Sequence, residues 1–451
     1  MKKLLAIILS VLMLFSMMGS VALADDPVEI RIMTSESGDN LACIEEVAER
    51  FNQTNDKNIH VSVLCVPEEY DAKLISMIAA NDIPEVAWME SGTLMYPLAE
   101  DGVLADINEY AKADPTFDWD SIGRQFQFML GDKWISYGIG SENIIMFYSP
   151  ALFEKYGVDA PPAAWEDAWD WDTFVEAAQK LTIDENGNNA LSPDFDPENI
   201  KTYGVKFGKW WANYMPFMLS AGTDFLTEDG KEIGWGTEAG IDVLQKLQDL
   251  IYKYHVSPTP TVSATLPGSS EAFATGRIAM VIDGQWSNQG LMADEVEYDV
   301  CALPKIGDKA RTIMTYGGVS LLNSAHTQEG YEFLKYFFSE VGIFKTDYTS
   351  GLWLPTNMHE FSDEVISSYI TDAHPSNYYT TVVKAQIDGT AKVTTTSYVK
   401  NFSAINDVLS AALDELWSGE KTAQEVMDGV RDTANALVQG YLYDISEHGF
   451  E

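Results

Sequence analysis

Two hydrophobic periods alternate along the chain. Residues 28–33 (VEIRIM) place apolar side chains at every second position, the period of a half-buried strand. A polar turn, TSESGDN, follows, and then Ile44, Val47, Ala48 and Phe51 recur at the 3.6-residue spacing of a helix. NIHVSVLCV repeats the strand pattern, YDAKLISMIAAND the helical one, and IPEVAWM reads as a third strand. Strands alternating with helices at this spacing predict a parallel, doubly wound α/β sheet, in which ligands sit beyond the carboxyl ends of the strands. Three loops are thereby aimed at one place: TSESGDN, WMES and the loop after ISYGI.

A second block starts near residue 140. NIIMFYSPALFEKYGVDAPP ends at a proline pair, and DWDTFVEAAQKL is a helix capped by Asp170, with Phe174, Ala178 and Leu181 on one face. VSPTPTVSATLPGSS (256–270) is a loop. The stretch FATGRIAMVIDGQW (273–286) closes a helix at Gly276, runs as a strand apolar on both faces, turns at Gly284 and ends on Trp286. Packing explains the glycines and the apolar run. It does not require the indole of Trp286, which stands at a strand's carboxyl end and faces a ligand. YDVCALPK and MTYGGVSLL read as strands, TQEGYEFLKYFF as a helix, and the chain from 361 as largely helical.

Composition narrows the class. A length of 451 residues, 46% apolar and 22% charged, suits a globular protein of two or three domains. Lys2 and Lys3, the apolar run LLAIILSVLMLFSMM and the small residues Ala22 and Ala24 have the order of an export signal, 1–24, cleaved before Asp25. The run is short for a membrane span. Without it the chain carries 26 basic and 69 acidic side chains, a formal charge of −43. Such acidity excludes nucleic acid, anionic lipid and polyphosphate as partners and suits a neutral ligand or a cation. Cys43, Cys65 and Cys301 lack metal spacing and read as free thiols, with a Cys43–Cys65 bridge left open.

The chain contains no G-x-S-x-G, H-E-x-x-H, Walker A, G-x-G-x-x-G or C-x-x-C. Among so many acids a glycosidase carboxylate pair cannot be located. In TIDENGNNALSPDFD, Asp184, Asn186 and Asn188 have the oxygen spacing of a calcium loop, but Asn189 stands where that loop needs glycine, and a solvated Asn-Gly turn is the better reading.

The F-x-x-G-x-x-A-M core followed by G-x-W, in order with VEIRIMTS, IIMFYSPALFEKYGVDAPP, WDTFVEAAQKLT, YDVCALPK, Gly317-Gly318 and GLWLPTN, resembles the bacterial extracellular solute-binding proteins of family 1, the sugar-binding components of ABC importers. The resemblance spans essentially the whole chain after the signal. It departs in one respect: no lipobox cysteine follows the apolar run, although many such proteins of single-membrane bacteria carry one.

The resemblance implies the two-lobe, maltose-binding-protein-like fold of type II, with the ligand cleft between lobes. It places 25–140 plus 305–340 in the N-terminal lobe and 141–304 plus 341–451 in the C-terminal lobe. Crossings fall near Gly138–Asn143, near Leu303–Lys305 and near 340–355. The ligand residues it implies are Glu36, Trp88, Glu90, Glu142, Trp210, Trp211, Tyr214, Trp286, Tyr316, Gly317, Gly318 and Trp353. It further implies no covalent chemistry and no cofactor. The protein would be an exported, extracytoplasmic monomer whose partners are a carbohydrate, an oligosaccharide above all, and the membrane subunits of an ABC importer.

An acidic, aromatic cleft suits sugar. One stack burying roughly 100 Å² gives ~2.5 kcal/mol, so hydrogen bonds must supply much of the roughly 8 kcal/mol that micromolar binding needs. Two other readings stay open: the same fold holding a polyamine, its ammonium caged by cation–π attraction, or a ferric ion, and a secreted glycan-cleaving enzyme.

Overall fold

The computed structural model describes residues 26–442, apart from 90–91, 117, 119–120, 124–125, 139, 316 and 339–343. The signal segment 1–24 lies outside the described residues, as do Glu90 and Tyr316.

Two sheets organise two α/β lobes. The first holds β1 (Val28–Thr34), β2 (Ile59–Cys65), β3 (Val86–Met89), β4 (Gln127–Leu130) and β5 (Lys133–Gly138). The second holds β6 (Glu142–Tyr148), β7 (Ile183–Asp184), β8 (Ile200–Phe207), β9 (Ile278–Gly284), β10 (Asp299–Cys301) and β11 (Thr312–Thr315). Next, β12 (Gly318–Leu321) returns to the first sheet, and β13 (Ala391–Val393) joins the second. The orders are β2-β1-β3-β12-β5-β4 and β13-β11-β6-β9-β8-β7, with β10 also on β6.

The expected parallel, doubly wound pattern is present where strands and helices alternate. Strand β1 pairs in parallel with β2 and β3, while the contributions of β12, β5 and β4 are antiparallel. The helix Gly38–Thr54 buries Ile44, Val47, Ala48 and Phe51 against the first sheet. In the second lobe the Asp170 carboxylate accepts the Thr173 N–H at 2.8 Å, capping Trp171–Leu181 as its sequence predicts. Strand β9 is buried on both faces, parallel to β8 and antiparallel to β6.

The second passage between sheets differs from the sequence expectation. MTYGGVSLL is not one strand: Thr312–Thr315 pairs with β6, and Gly318–Leu321 pairs with β3 and β5. The chain therefore leaves the second sheet after Thr315, not near Leu303–Lys305. A second tie is short and direct: Ser141 and Leu354 exchange backbone hydrogen bonds at 3.0 and 2.9 Å.

Cys43, Cys65 and Cys301 are not joined in disulfides. In the 184–196 loop the Asp184 carboxylate accepts the backbone N–H groups of Asn186, Asn188 and Asp196 and the Asn188 side-chain amide, at 2.8–3.1 Å. Its lone pairs serve the turn. Among the described residues no helix is long and apolar enough to cross a membrane.

Candidate functional site

Where the sheets approach one another the chain encloses a cavity of about 280 Å³. Its position follows from the topology: the loop after β1, the end of β3, the start of β6 and the passage from β11 to β12 all converge there. Glu36 comes from the first of these, and its Oε2 accepts the Asn40 amide at 2.8 Å. Trp88 stands in β3, almost fully buried, with its indole N–H unmatched among the described residues.

Glu142 opens β6. Its Oε1 accepts the Trp353 indole N–H at 2.8 Å, and Oε2 lies 3.4 Å from the Thr315 hydroxyl. Trp353 is thus oriented by a charge-assisted bond and lies 5.9 Å from Trp88, the rings tilted by 31°. The same indole lies against Gly140, where an added Cβ would come within 2.6 Å of the ring. Gln285, fully buried, holds this corner: its Oε1 accepts the Asn143 N–H at 3.2 Å and its amide donates to the Leu352 carbonyl at 3.2 Å.

The second lobe adds Trp210 and Trp211, at the start of the helix Trp211–Ser220. Trp210 is 47% exposed and meets Trp211 edge-on at 5.3 Å. Trp286 does not line the cavity. Its ring lies over Gly284, which has no room for a side chain, and backs Trp210 at 6.0 Å. The Asp283 carboxylate accepts the Ser287 hydroxyl at 2.9 Å and so fixes this turn, and burial pushes its pKa up.

Of the sequence-derived candidates, Glu36, Trp88, Glu142, Trp210, Trp211, Gly317 and Trp353 line one cavity. Tyr214 is elsewhere: it is buried in the second core, edge-on to Trp235 at 5.1 Å, because its turn of helix faces inward. Gly318 is a packing position, pressed against Ser136 between strands. Asn40, Thr315, Thr394, Thr396 and Ser397 line the cavity without having been picked out by sequence. A run of hydroxyls, TTTS, was the available signal for the last three.

One titrating group lies just behind the cavity. Asp347, on the helix Phe344–Thr349, is 1% exposed, and its main-chain carbonyl accepts the Leu352 and Trp353 N–H groups. Burial pushes its carboxyl up to about 7; a Cys43 hydrogen bond opposes this and the Glu36 charge adds to it.

Residues 36–342 match the sequence profile of the bacterial extracellular solute-binding proteins. A binding protein of Brucella abortus is 22% identical over 317 residues, 69% of either chain. Among solved structures, an ABC substrate-binding protein of Listeria monocytogenes in complex with cycloalternan superimposes with a TM-score of 0.76 at 22% identity, over 91% of this chain and 99% of that one. A maltose/maltodextrin-binding domain of Bdellovibrio bacteriovorus bound to maltotriose gives 0.67 at 19%, over 91% and 99%. The GacH receptor of Streptomyces glaucescens, solved with acarbose, gives 0.70 at 18%, over 92% and 99%.

Proposed function

Since this chain belongs to the bacterial extracellular solute-binding proteins, we propose that it captures an oligosaccharide in the cleft between its lobes and hands it to the membrane subunits of an ABC importer. The carrying observation is the Glu142–Trp353 pair. A carboxylate fixes the edge of an indole whose neighbours are Trp88 and the Glu36 carboxylate, so flat apolar surface and hydrogen-bond acceptors meet at one point. A pyranose presents the matching surface, a C–H face edged by hydroxyls. Relatives of the same fold bound to cycloalternan, maltotriose and acarbose support the choice.

The ligand would touch Glu36 and Trp88 from one lobe and Trp210 and Trp211 from the other. Contacts completed only on closure favour the closed state by their own free energy. No bond is made or broken. The polyamine reading keeps one specific support, two carboxylates beside indoles around a small cavity. A thermal-shift panel separates them: oligosaccharides raising Tm, with spermidine and putrescine silent, is the expected result. The reverse pattern, or release of cleaved glycan on incubation, overturns the proposal.

A further inference from the structure

The cavity does not end at the indole pair. Trp210, Trp211, Thr396 and Ser397 line it and also line a second, larger chamber of about 730 Å³. One wall of that chamber is the helix Gly92–Glu100, which contributes Tyr96, Pro97 and Glu100. The other is built from two distant stretches bound to each other. The Lys400 N–H donates to the Gly440 carbonyl at 2.9 Å, the Leu442 N–H to the Tyr398 carbonyl at 2.8 Å, and Val399 bridges Tyr441. Asn401 closes the corner in a left-handed conformation, φ 62°, with its side-chain amide donating to the Leu437 carbonyl at 3.1 Å.

We infer that the ligand is long enough to occupy both chambers, crossing at Trp210, and that the second chamber sets the preference for chain length. This rests on the carbohydrate reading above. The first cavity, at about 280 Å³, lies at the foot of the roughly 300–1,000 Å³ range of small-molecule sites, and the two chambers joined reach its top. A ligand confined to the first would leave the outer face of Trp210 in water.

The chemistry of the second chamber selects the occupant. Glu100 and Lys400 oppose each other in sign, and Asn401, Ser403 and Gln439 offer both donors and acceptors. A polyanion meets Glu100 and a polycation meets Lys400. An uncharged, hydroxylated chain uses both.

Calorimetry on gluco-, manno- and xylo-oligosaccharides of two to six units tests this. In the responding series, affinity rises about tenfold from disaccharide to tetrasaccharide and then levels off. Gln439→Trp, which intrudes an indole into the chamber, returns the tetrasaccharide toward the affinity of the disaccharide and leaves the disaccharide within about twofold, since Gln439 lies outside the first cavity. Ser403→Tyr does the same from the other stretch of that wall and serves if the first variant folds poorly. Equal affinity for all lengths, or blocked variants that keep the full gain, overturns the inference while disaccharide binding preserves the cleft assignment. Silence toward every saccharide overturns both.

Discussion

Asp347→Asn isolates a buried charge. Its folded pKa of about 7 stands against an ordinary value of 3.8, a gap of about three pH units. At 1.36 kcal/mol per unit, keeping this carboxylate ionised in the folded state costs up to about 4 kcal/mol at pH 8. The sign follows from proton binding. The folded state holds the proton more tightly than the unfolded one, so the stability due to this group is present at low pH. It is lost as pH rises from about 4 to about 7. Asparagine keeps the shape and removes the charge, so the variant is expected to melt several degrees above wild type at pH 8, at roughly 2 °C per kcal/mol. Between pH 8 and pH 4.5 that advantage shrinks by about 3 kcal/mol, because wild type takes up its proton while the variant has none to take. Calorimetric melting of both proteins at the two pH values reads this directly. An offset that is the same at both, or a variant less stable at pH 8, would refute the argument and assign Asp347 a compensating partner.

Gly140→Ala presses a methyl group into the Trp353 ring, and relieving that contact moves the indole off Glu142. Overpacking costs typically 1–3 kcal/mol, so a fall in glycan affinity of about fivefold or more by calorimetry is expected; unchanged affinity dissociates Trp353 from the ligand. Trp286→Ala leaves the fold intact but removes the support of Trp210. Glycan affinity is expected to drop severalfold with a cooperative melt retained, and an unaltered isotherm removes Trp286 from any role in binding.

What could be read from sequence was local. The face of Gly38–Thr54, the Asp170 cap and the two-sided burial of β9 all depend on neighbours within a few residues, and the structure shows them as the spacing predicts. MTYGGVSLL misled because its apolar alternation continues across Gly317-Gly318, while pairing partners far away divide it between sheets. Tyr214 misled for a related reason: aromatic content near Trp210 does not say which side of a helix turns inward. Thr394, Thr396 and Ser397 have no period to reveal them, and the burial of Asp347 beside Cys43 and Glu36 joins residues some 300 positions apart.

The division of that one stretch has a mechanical consequence. Thr315 is pinned in one sheet and Gly318 in the other, so two residues span the gap, and the cavity lies at the same spot. So short a tether stores no slack. Any rotation of one lobe against the other turns about a pivot beside the cavity, where atoms travel least. The outer ends of the lobes, at the far end of the lever arm, travel most. A small displacement beside the cavity becomes a coarse change of outline at the rim, legible to a partner that never reaches the cavity.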